Sequence, residues 1–106
     1  MNREFLNDFE ELILTMVAAL EESAYGAAIT IELEKWMGRK ITLSAVHVTL
    51  YRLEDRGYLR SKVGGATSER GGRSKRIYAI TASGIAVLRS MKETRVGIWK
   101  LIPQLK

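Results

Sequence analysis

The chain has 106 residues, 46% hydrophobic and 27% charged, with one histidine, no cysteine and a net charge of +5. That length suits a single domain with a modest core. The composition excludes disulfides and thiolate metal sites, and no apolar run is long enough for a membrane partner.

The N-terminus, MNREFLNDFEE, is acidic and amphipathic rather than signal-like, and the lack of cysteine fits a reducing cytoplasm, the expected location. Charge is divided along the chain. Residues 1–40 carry four Lys/Arg and eight Asp/Glu, whereas residues 41–106 carry thirteen and four. A basic half of this kind points to a polyanionic partner.

Phe5, Leu6, Phe9, Leu12, Ile13, Met16, Val17 and Leu20 recur at helical spacing and predict a helix over 4–21. Its apolar stripe is wide enough for another subunit to cover part of it, with Phe5 and Phe9 as candidates. Ser23 is a candidate cap for a second helix over about 25–37 that stops at Gly38. Tyr25, Ile29, Leu33 and Trp36 share one face, and Trp36 is expected in the core. After RKITLS, a third helix is predicted over about 44–56, capped by Ser44 or Thr42 and ended by Gly57. Leu43, Val46, Leu50 and Leu53 form its narrow apolar seam. Two helices joined by a short polar turn are a helix-turn-helix arrangement.

YLRSKV (58–63) and SKRIYAI (74–80) alternate apolar and polar residues and predict a hairpin. The stretch between them, GGATSERGGRSKR (64–76), has four glycines and four basic residues. Thr81 is positioned to cap a last helix over about 82–102, followed by Pro103. Leu88, Met91, Arg95, Ile98 and Ile102 mark a heptad-like stripe with Trp99 beside it. One chain offers this stripe no partner, so a homodimer is expected.

The order α-α-α-β-β-α is that of a mainly α (α+β) winged helix-turn-helix. Residues 1–80 are expected to form the DNA-binding domain and 81–106 the C-terminal dimerisation helix. Such a fold places its third helix in the major groove of double-stranded DNA and its hairpin loop along the backbone or minor groove. With the seam inward, Ser44, Ala45, Val48, Tyr51 and Arg52 point outward, with His47 and Thr49 at the boundary. Small residues permit close approach, Val48 suits a thymine methyl, and Arg52 suits a phosphate or guanine. Arg70, Arg73, Lys75 and Arg76 supply the wing's charge, and its glycines let backbone approach phosphate.

A nucleotide-binding phosphate loop is excluded. Gly65 and Gly71 have five residues between them, no Lys-Ser/Thr follows, and a strand comes next. Glu32 and Glu34 lie two apart on a helix and do not face one another. No nucleophile–base set or metal-ligand cluster is visible, so neither an enzyme nor a metal or other cofactor is expected. A winged-helix adaptor that binds protein rather than DNA is the alternative.

YGAAITIEL (25–33), LYRLEDRGYL (50–59) and GGRSKRIYAITASGIAVL (71–88) resemble the PadR-type transcriptional regulators. The single C-terminal helix is similar to the compact branch of that family. The resemblance implies a homodimeric, usually repressing factor on an inverted-repeat operator, joined through the last helix with help from the first. It further implies a small aromatic or drug-like effector for some members, near the dimer interface, where Trp99 lies. His47 stands where the family usually has tyrosine, and Ser74 where proline is common.

Overall fold

The computed structural model describes residues 5–64 and 75–105. The first helix, α1, spans Asp8–Leu20 and starts later than periodicity predicts. The cause is a capping box. Asn7 Oδ1 accepts from the Glu10 N–H at 2.8 Å, and Glu10 Oε1 accepts from the Asn7 N–H at 2.9 Å. Glu21 then bends the chain at φ 52°, a costly left-handed value for a side chain without glycine's freedom. Glu21–Ser23 form a short 3-10 turn. Ser23 therefore does not cap α2 (Gly26–Met37), whose cap position is Tyr25 with no side-chain hydrogen bond.

Helix α2 ends at Gly38, which adopts φ 67°. The following turn is pinned by Glu34 Oε2, which accepts from the Ile41 N–H at 2.9 Å. Of the two candidate caps, Thr42 is the one used. Its Oγ1 accepts from the Ala45 N–H at 3.2 Å and starts α3 (Leu43–Asp55). The far end of α3 closes with Gly57 at φ 85°. The Gly57 N–H reaches the Glu54 carbonyl at 3.0 Å, and the Tyr58 N–H reaches that of Leu53 at 2.9 Å. This paired closure satisfies carbonyls that the helix would leave open.

Strands β1 (Leu59–Val63) and β2 (Arg76–Ile80) pair antiparallel, Leu59 opposite Ile80 and Ser61 opposite Tyr78. The Tyr78 N–H also donates to the Ala24 carbonyl at 2.8 Å, tying the hairpin to the α1–α2 connection. Thr81 performs two tasks at once. Its Oγ1 accepts from the Gly84 N–H to cap α4 (Ala82–Trp99) and donates to the Gly57 carbonyl at 2.7 Å. A Cβ at position 84 would collide with the Tyr58 carbonyl oxygen and the Ile80 side chain, so close helix–hairpin packing requires glycine there. The last helix stops three residues short of the predicted end, before a 3-10 turn at Pro103–Leu105.

All four helices and the hairpin share one core. Ile13, Leu14 and Val17 of α1 meet Ile29 and Leu33 of α2 and Val46, Leu50 and Leu53 of α3. Leu59, Tyr78, Val87 and Met91 complete it. Two sequence expectations are corrected. Trp36 is 80% exposed rather than core, because it lies in the last turn of α2, past Leu33, the last buried residue of that helix. Leu43 is exposed at the first turn of α3, so the seam begins at Val46. Val63, at the free end of β1, is exposed as well.

Candidate nucleic-acid interface

The outer face of α3 is built on a fixed foundation. Val46, Leu50 and Leu53 are fully buried beneath it, which leaves little freedom to roll. Above them, Ser44, Val48, Tyr51 and Arg52 are exposed, and Ala45 is half-buried. Small, apolar and cationic groups thus share one surface of a helix whose first two residues, Leu43 and Ser44, are exposed.

Two predicted α3 contacts are displaced. Thr49 is 6% exposed and belongs to the core side. His47 is half-buried and its ring lies against Gly26, where a Cβ would come within 2.6 Å of its Cε1. Gly26 thereby lets the N-terminus of α2 rest on α3. The His47 ring stacks on Tyr51 with centroids 6.2 Å apart, and among the described residues its buried Nδ1 has no hydrogen-bond partner. His47 is thus first a packing residue between the two helices.

The hairpin lies against the C-terminal half of α3. Ser61 Oγ donates to Glu54 Oε2 at 2.7 Å, and Arg76 Nη1 donates to Ser61 Oγ at 3.0 Å. The Lys75 ammonium sits 4.1 Å from the centroid of the Tyr25 ring, a cation–π contact to the start of α2. The buried Tyr78 phenol is pushed above its ordinary pKa by desolvation, then by Tyr51 and Glu54, with Arg76 opposing. It stays neutral at physiological pH. Arg70 and Arg73, the other predicted wing cations, lie outside the described residues. Sequence reasoning passed over Arg39 and Lys40, both exposed in the turn that leads into α3. The signal was their position directly before the N-terminus of the predicted groove helix.

The predicted dimer stripe on α4 divides in two. Met91 is fully buried in the chain's own core, and Leu88 packs half-buried against that core. Arg95 pairs within the chain, with Glu11 at 2.7 Å and Asp8 at 3.6 Å. Phe9 also packs on the core, whereas Phe5 is exposed. Ile98 and Trp99 are 61% and 62% exposed and Ile102 is half-buried. Val96 and Leu101 add exposed apolar surface that the heptad reading missed. Among the described residues, no helix is long and apolar enough to cross a membrane, and no three potential ligands form a metal cluster.

Residues 13–90 match the model of the transcriptional regulator PadR-like family. The chain belongs to this family. Solved PadR-family structures share its fold. A PadR-like regulator from Bacillus cereus strain ATCC 14579 superposes with a TM-score of 0.72 at 22% identity, over 92% of this chain and 89% of that one. A PadR-family regulator from Eggerthella lenta DSM 2243 gives 0.68 at 26%, over 89% and 80%. Bacillus subtilis PadR, solved in complex with operator DNA, gives 0.65 at 20%, over 80% of this chain and 46% of that one. No curated protein matches the chain. The PadR-like regulators are not an enzyme family, in keeping with the lack of a catalytic constellation in the sequence.

Proposed function

We propose that this PadR-like regulator is a cytoplasmic, homodimeric repressor that binds an inverted-repeat operator in double-stranded DNA. One observation carries the reading. A rigidly backed helix face of Ser44, Val48, Tyr51 and Arg52 adjoins a hairpin whose loop end bears Lys75 and Arg76. A helix end fits the major groove, and cations beside it suit the flanking phosphates. Arg39 and Lys40 extend the basic surface along the turn. That the Bacillus subtilis relative was solved bound to operator DNA supports a DNA partner for this chain.

The end of α4 and the residues just after it support dimerisation. Ile98, Trp99 and Leu101 are large apolar groups in water, and a second copy that covers them would bury a symmetric patch. Two copies would present two α3 helices, as an inverted repeat requires. Beside this patch runs an open groove of about 820 Å³ between α1 and α4, lined among others by Thr15, Leu88 and Val96. A small aromatic or drug-like effector would bind here, next to the seam.

The test is selection of duplexes from a random pool, followed by titration at several salt concentrations. A recovered palindrome is expected, with affinity falling steeply as salt rises, by a log–log slope of about −0.9 per phosphate neutralised. Sedimentation should give a dimer. A monomer that binds every duplex equally weakly would instead favour a protein-binding adaptor.

A further inference from the structure

Arg76 was expected to reach for DNA, yet in the free chain it is already engaged. Its Nη1 donates to Ser61 Oγ at 3.0 Å, and that hydroxyl donates its only proton to Glu54 Oε2 at 2.7 Å. A hydroxyl that gives its proton to a carboxylate has its lone pairs left for a cationic donor, so the chain has one direction. It joins three elements: the last turn of α3, the middle of β1 and the first residue of β2.

Location gives this chain its use. A two-stranded hairpin is marginal alone and depends on what it packs against. Leu59 and Tyr78 anchor its base in the core, but Val63, on the same face as Ser61, is exposed. Among the described residues of β1, Ser61 is thus the last to be tied to a helix before the loop. Any rocking of the hairpin there would be amplified at its tip. Glu54 is also an acid on a helix meant for phosphates. An arginine held across one hydroxyl offsets that charge.

We infer that Glu54, Ser61 and Arg76 form a latch that sets the angle of the hairpin against α3, which makes Glu54 and Ser61 positioning residues for operator binding. The inference rests on the DNA-binding reading above. A latch formed before the encounter means that less order has to be created on binding.

The experiment compares wild type with Ser61→Ala, Ser61→Thr, Glu54→Gln, Arg76→Ala and the double variant Ser61→Ala/Arg76→Ala, on a duplex recovered by selection. Thermal melting of each variant confirms folding. Glu54→Gln, which takes the charge from one contact, should weaken binding about tenfold, and Ser61→Ala, which removes both hydrogen bonds of the chain, at least as much. The double variant should bind no worse than Arg76→Ala, because the two changes break one chain. Ser61→Thr, which keeps the hydroxyl on a residue suited to strands, should bind as wild type does. A simple phosphate-gripping Arg76 predicts the reverse. Freeing it, or removing the Glu54 charge, would then leave binding equal or tighter, and that result overturns the latch. NMR of the Arg76 guanidinium without DNA provides an independent arm. Rotation should be hindered in wild type and Ser61→Thr and free in Ser61→Ala. Free rotation in wild type overturns the latch. A wild type that selects no duplex overturns the regulator reading and the positioning role with it, even where the guanidinium is held.

Discussion

Helices α3 and α4 both expose large apolar side chains, but on different foundations. Under Val48 and Tyr51, the α3 backbone rests on three fully buried residues, and the exposed face also carries Ser44 and Arg52. Beyond Met91, α4 has no buried residue, and Val96, Ile98 and Trp99 stand exposed near its end, with Leu101 exposed just past it. Mixed apolar and polar groups on a rigid base suit a wet, charged partner such as a DNA groove. A nearly continuous apolar strip at the end of a helix suits another apolar surface. Exposure alone therefore says little, and the backing and the neighbours determine what the surface can meet.

The sharpest way to break the comparison is to remove the α3 foundation. Leu50→Ala would leave a cavity under the groove face and should cost about 2–5 kcal/mol of stability, read from denaturant unfolding. DNA affinity should fall with it. If Leu50→Ala melts like wild type, α3 is not rigidly backed.

Trp99→Ala, alone or with Ile98→Ala, should do the opposite. The monomer fold should hold, because both side chains are largely exposed. Self-association should weaken by about 2–4 kcal/mol, or roughly 30- to 1,000-fold in the dissociation constant, if these are the central anchors of the seam. Sedimentation equilibrium reads this directly. An unchanged dimer would place the seam elsewhere.

The smallest effect belongs to Trp36→Ala. At 80% exposure this tryptophan contributes little to the fold, and the change should stay within about 0.5 kcal/mol in the same unfolding measurement. A large loss would restore Trp36 to the core and undo the contrast between surface apolar groups and structural ones.

Much of the fold was legible because its signals are local. Apolar spacing located the helices, Thr42 and Thr81 cap two of them, and Gly38 and Gly57 end two at positive φ. The α1 start was misplaced because the apolar stripe runs back to Phe5, while the Asn7–Glu10 box sets the real boundary. The candidate site was less legible. Ser44, Val48, Tyr51 and Arg52 emerged on the expected face, but Thr49 and His47 turned toward α2 and the core. Charge identified Arg76 as a wing cation and spacing placed Arg95 in the dimer stripe, and both are committed within the chain, to Ser61 and to Glu11.

By itself, then, the sequence determined which segments coil, which extend and roughly where each lies. Those outcomes depend on contacts within a few residues, where spacing and caps act directly. Only the tertiary structure decided which side chains remain available to a partner. Arg95 meets an acid 84 residues away in sequence, Arg76 reaches α3 through a strand, and Trp36 lies at the end of α2 beyond the last residue that the core covers. Such pairings depend on how distant elements dock, and periodicity within one element carries no record of that.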